Sequence, residues 1–147
     1  MIRIFLTALF LLLLAAAAVS DLKERRIPDA VSGAMALLGI AAVWWMPEPG
    51  IWQRLAGMLA VSVPVLLLAL VRQGAFGGGD IKLLAAGGLF LGGEAIGEAF
   101  LIGMTGAGLW GLFLLIRGKG RKEKFALGPF LCMGMAIRLF SGEFLWN

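Results

Sequence analysis

The chain has 147 residues, of which 61% are hydrophobic and only 15% charged, with no histidine, no tyrosine and a single cysteine. Soluble domains average about half apolar and about a quarter charged, so this composition, with a mean hydropathy of +0.95, excludes a soluble globular domain and points to an integral membrane protein. The net charge of +4 sits in short loops between apolar stretches, where it reads as an orientation signal and not as a nucleic-acid surface.

Six apolar stretches follow one another, over residues 2–20, 30–46, 53–71, 81–92, 95–116 and 125–140. They are continuously apolar and do not alternate with period two, so they read as helices and not as strands of a barrel. A span takes about 20 residues, so six of them use the whole length. The expected fold is an all-α, polytopic bundle of about six transmembrane helices forming a single domain over residues 1–147. The fourth stretch is short for a crossing and would need flanking residues or a thinned bilayer.

The first stretch has a competing reading. Arg3, an apolar run and the small residues Ala15 to Ser20 resemble a secretory signal. Its basic residues lie mainly after the run, and five further apolar stretches need insertion in any case. Span one is expected to be retained.

Directly after it comes Asp21-Leu22-Lys23-Glu24-Arg25-Arg26-Ile27-Pro28-Asp29. Pro28 shapes this loop, and Asp29 is expected to cap the second helix. Lys23, Arg25 and Arg26 read as anchors on the cytoplasmic side. Ser20 and Lys23 lie about one helical turn apart at a wet interface, which makes a poor nucleophile–base pair. Trp44, Trp45, Trp52 and Trp146 suit an aromatic belt on the opposite face.

Between the third and fourth stretches stands Gly77-Gly78-Gly79-Asp80-Ile81-Lys82. The three glycines permit backbone conformations closed to other residues and let another chain approach Asp80; an ordinary flexible turn is the plainer reading. Lys82 would either favour an ionised Asp80 or reach lipid phosphates. Further on, Gly88 and Gly92 form a GxxxG pattern, with Gly103, Gly106 and Gly111 beyond, which suits close helix packing within the molecule or between copies. Cys132 lies in an apolar stretch and has no internal disulfide partner.

Of 13 Lys and Arg, ten fall on the face that carries the loops after spans one, three and five. Arg3, Arg54 and Arg138 fall on the other. The positive-inside rule makes the first face cytoplasmic, with both termini outside. The same parity puts Asp21 and Asp80 at one membrane depth, where they can meet. Carboxylates in such places are costly and usually functional.

Two carboxyl groups can hydrolyse an amide if one is ionised to take a proton from water while the other, protonated, polarises the carbonyl. An isolated aspartate ionises near pH 3.9, so holding a proton near neutrality costs about 4 kcal/mol. Burial together with a close like charge supplies an effect of that size. No zinc motif, Cys–His dyad or Ser–His–Asp triad is available without histidine. Two carboxylates alone make a poor site for a hard cation, so neither metal nor cofactor is expected.

Asp21 with its basic stretch and Ile-Pro-Asp, the Gly-x-Gly-Asp-x-Lys-Leu-Leu segment, and Leu127-Gly128-Pro129-Phe130-Leu131 opening the last span together resemble the type IV prepilin peptidases. The Gly-x-Gly-Asp signature is shared with presenilin-like intramembrane aspartyl proteases. The resemblance covers nearly the whole chain in order and spacing. It implies that Asp21 and Asp80 are catalytic and that Gly77, Gly78, Gly79, Lys82 and Pro28 shape the loop or contact substrate. The implied substrate is a prepilin or pseudopilin whose short basic leader precedes a hydrophobic helix, and the implied location is the bacterial inner membrane with the site facing the cytoplasm. The chain looks like the short branch that serves Flp-type pili. It lacks the long N-terminal extension and cysteine pairs of bifunctional members, so peptidase activity alone is expected. An ion- or proton-coupled transporter using the paired carboxylates is the alternative, and a noncatalytic assembly factor a third; no Asp, Glu, Lys or Arg falls in the middle of any of the six stretches to make a path across.

Overall fold

The computed structural model describes residues 1–119 and 126–141. Seven helical segments account for nearly all of it: α1 Ile2–Glu24, α2 Asp29–Trp45, α3 Ile51–Ala60, α4 Ser62–Val71, α5 Gly78–Leu91, α6 Gly93–Ile116 and α7 Gly128–Ser141. All six expected stretches are helical, and no strand occurs among the described residues. Trp146, Arg121, Lys122, Lys124, Phe125 and Glu143, which entered the reading of the sequence, lie outside the described residues.

α1, the α3–α4 pair taken as Ile51–Val71, and α6 are each long and apolar enough to cross a membrane; α2 and α7 are shorter apolar helices. The third stretch is divided at Val61 because Pro64 has no N–H to give the carbonyl four residues earlier and its ring crowds that carbonyl. Large apolar side chains such as Phe5, Leu12, Leu37, Leu67, Leu101 and Leu109 point outward, as a multi-pass membrane protein requires. Trp44, Trp45 and Trp52 are exposed near the same end of the bundle.

The short fourth stretch forms the centre of the molecule. α5 has 14 residues, nine of them buried, and reaches only about 21 Å. It packs on α2, α3 and α6, and Phe90 stacks on Phe10 of α1 with ring centroids 4.1 Å apart. Glycines bring its backbone close to α3: a Cβ on Gly88 would run into the backbone of Gly57, and one on Gly57 into that of Gly88 and Gly92. The GxxxG pattern therefore works inside the molecule. Its second glycine, Gly92, adopts φ +88 and ends α5, a left-handed position that favours glycine.

The buried end of α5 leaves carbonyl groups that neither water nor lipid can satisfy. Arg54 satisfies them. Its side chain is completely buried; Nη1 donates to the carbonyls of Leu89 at 3.2 Å and Phe90 at 2.8 Å, Nη2 to Met46 at 3.2 Å, and Nε to Pro49 at 2.9 Å. The sequence reading placed Arg54 on the face opposite the basic loops and gave it no partner; the ends of α2 and α5 supply its acceptors there.

Two stability outcomes follow. Arg54→Ala strands these carbonyls and should lower stability by about 2–4 kcal/mol, read in detergent as earlier labelling of buried Cys132 by a thiol-reactive fluorophore on heating. Gly88→Ala should also destabilise clearly, whereas Gly33→Ala, whose Cβ would meet nothing within 4 Å, should be neutral or stabilise by up to about 1 kcal/mol.

Candidate functional site

Three helix ends meet at one end of the bundle: the last turn of α1, the first turn of α5 and the start of α7. Asp21 lies in the last turn of α1, and α1 ends at Arg25 in the left-handed conformation, φ 52, with its N–H donating to the Asp21 carbonyl. Asp80 is the third residue of α5. Their side chains are buried, Asp21 at 8% and Asp80 at 9% exposure, and both line one cavity of about 330 Å³ with Arg25, Arg26, Asp29, Gly77 to Gly79 and Lys82. Two residues expected to meet from helix parity are thus brought together.

Asp21 is held by a donor that the sequence reading assigned no role. The Gly128 N–H, at the start of α7, donates to Asp21 Oδ2 at 2.9 Å. Helix N-termini carry unpaired N–H groups and a partial positive charge, so a carboxylate from α1 acts as the cap of α7. A Cβ at Gly128 would sit 2.6 Å from that carboxylate oxygen, so glycine is required for the approach. The signal was the Gly-Pro pair opening the last stretch, which marks a helix start but does not say what faces it.

The glycines before Asp80 act differently from the expectation. Gly77 has φ −74 and none of the three has positive φ, so no special conformation is used; Gly78 and Gly79 are already helical. What glycine supplies at two of them is room. A Cβ on Gly79 would lie 3.1 Å from Ile27 Cβ, and one on Gly77 would lie 3.4 Å from Asp80 Oδ2. Around Gly78 there is open space.

Asp29 and Lys82 also depart from their expected roles. Pro28, extended at φ −61 and ψ 136, is the N-cap of α2, and no side chain caps that end. Lys82 Nζ donates to Asp29 Oδ1 at 2.7 Å. Lys82 therefore neutralises Asp29 at the cavity rim and is not paired with Asp80. Asp29, exposed and ahead of the apolar part of α2, has its carboxyl pKa lowered by that hydrogen bond and by the Lys82 charge. Water-exposed partners one helix apart outcompete a local cap here because the geometry of α2 against α5 brings them within reach.

A second, larger cavity of about 890 Å³ opens from the same two aspartates. It runs between the C-terminal half of α6 and the segment Gly74 to Gly77, with Leu127 at its side. Among the described residues no group of three or more potential metal-ligating side chains is assembled.

Comparison with known proteins agrees with this architecture. The family model of the type IV leader peptidase family matches residues 8–116, a span that includes both Asp21 and Asp80. The chain is 33% identical over 129 residues to a prepilin leader peptidase/N-methyltransferase of Burkholderia pseudomallei, covering 83% of this chain and 41% of that protein. A protein of the same name from Legionella pneumophila is 30% identical over 133 residues, covering 86% and 46%, and one from Bacillus subtilis is 25% identical over 143 residues, covering 97% and 58%. The chain thus spans about half the length of these curated relatives. No solved structure matches it significantly. With the family match running through both buried carboxylates and the helices that carry them, the chain belongs to the type IV leader peptidase family.

Proposed function

We propose that this chain is a membrane-embedded aspartyl endopeptidase that removes the leader peptide from type IV, Flp-like prepilins at the cytoplasmic face of the bacterial inner membrane. One observation carries the reading: two buried aspartates from separate helices, Asp21 and Asp80, line a single cavity at the end of the bundle. The names of the relatives supply the substrate class.

The reaction needs one proton between the two groups. The ionised carboxylate takes a proton from a water molecule as its oxygen attacks the scissile carbonyl carbon, while the protonated carboxyl gives its proton to the carbonyl oxygen. Collapse of the resulting tetrahedral diol breaks the C–N bond as the leaving nitrogen takes the proton now held by the first carboxyl, and one diol hydroxyl returns its proton to the second carboxylate, leaving an amine and a carboxylic acid. Both aspartates then have the protonation they need for another cycle.

Cytoplasmic orientation rests on the charge asymmetry, ten of 13 Lys and Arg on the face that holds the aspartates. A site at that depth suits a substrate whose basic leader stays in water while its hydrophobic segment lies in lipid. Amides inside a helix are already hydrogen-bonded, so cleavage ahead of the helix avoids unwinding it.

Leader removal from a co-expressed prepilin, followed by mass, tests the proposal. Asp21→Asn and Asp80→Asn should each reduce the rate by at least about 100-fold while inserting normally; cleavage at the wild-type rate by either would remove that residue from the mechanism. Gly128→Ala, which pushes a methyl group against the Asp21 carboxylate, should cost about 10- to 100-fold through misplacement alone.

A further inference from the structure

α6 carries small residues on two faces, and only one face is explained by packing within the molecule. On the first, a Cβ added to Gly103 would strike the backbone of Phe130 and one on Gly106 would press on the Phe130 ring. These glycines seat α7. On the second, Gly108 and Gly111 line the 890 Å³ groove with Met104, Leu112 and Leu115, and Ala107, itself buried, forms its floor. A Cβ on Gly108 would meet nothing within 4 Å. Among the described residues nothing needs that position to be small.

The groove has an apolar body and a polar end. Residues 104 to 115 extend for about 16 Å, three helical turns, from the depth of the bilayer to the bundle end. There the groove meets Asp21, Asp80 and Arg25. A chain whose peptide bond reaches the two buried carboxylates has a path into lipid along this wall.

Resting on the peptidase reading, we infer that the Ala107–Gly108–Gly111 face of α6 is the seat of the substrate's hydrophobic helix, held by backbone-close helix packing. Without a hydrophobic drive between helices in lipid, small residues at the contact are what permit such association. The helix lies against α6 with its N-terminal end at the aspartates, so the last residues of the leader enter the 330 Å³ cavity extended. Recognition of the substrate then has two parts: the cavity takes the leader, and α6 measures the helix.

The test uses the full-length protein in proteoliposomes. Cys132 is the chain's one cysteine, so Cys132→Ser gives a background for Gly108→Cys, combined with Asp80→Asn to hold substrate uncut. A prepilin with one cysteine two turns into its hydrophobic helix should form a disulfide cross-link to this variant under mild oxidation. It should form none to Leu37→Cys on outward-facing α2. In the active protein, Gly108→Leu should lower kcat/KM for prepilin by about tenfold or more, mainly through KM, while Gly97→Leu, an equal addition in open space toward the other end of α6, stays at the wild-type value. If wild type cleaves prepilin but the Gly108→Cys cross-link is missing, lipid fills the groove and the inference falls while the peptidase reading stands. If wild type cleaves no prepilin, both fall.

Discussion

A helix too short for its membrane needs its buried end satisfied from within, and here one guanidinium does so. Arg54 binds four main-chain carbonyls at the junction of α2, α3 and α5, and the interlocked backbones of Gly57 and Gly88 hold the same helices in contact. These interactions fix α5 at the end remote from the cavity. Because α5 is rigid and only 14 residues long, fixing one end sets the depth of the other, where Asp80 stands. The truncated helix is therefore part of how the carboxylate is placed below the level of bulk water.

Asp21 arrives by a different route. Its helix is long enough to cross by itself, and its position is set by the Gly128 N–H at the start of α7. The site thus joins a carboxylate held by helix-end hydrogen bonding to one held by the depth of a short helix. Lys82 and Asp29 neutralise each other at the rim, so among the described residues no side-chain cation binds directly to either buried carboxylate.

Much of this was legible in the sequence. Hydrophobic runs located every helix, and counting membrane crossings placed Asp21 and Asp80 at one end before any contact was known. What could not be read were features set by three-dimensional neighbours. The burial of Arg54 depends on where α5 ends in space, and an arginine near a span boundary looks the same in sequence whether it faces lipid head groups or main-chain carbonyls. Lys82 could be assigned to Asp80 by proximity in the chain, yet its partner is 53 positions away. The glycines ahead of Asp80 signalled a tight place correctly, but sequence does not distinguish a need for unusual dihedral angles from a need for an absent side chain. Gly128 was visible as a helix opener, while the acceptor facing it lies 107 positions earlier.

That last separation bears on when the protein becomes competent during its synthesis. Asp21 leaves the ribosome early, whereas the amide that holds it belongs to α7, which follows the other six described helices. Until α7 docks on α1, the nascent chain in the translocon carries both aspartates but lacks the amide that orients the first of them. Under the proposed function, assembly order alone would then keep the half-made chain from cutting its neighbours in the membrane.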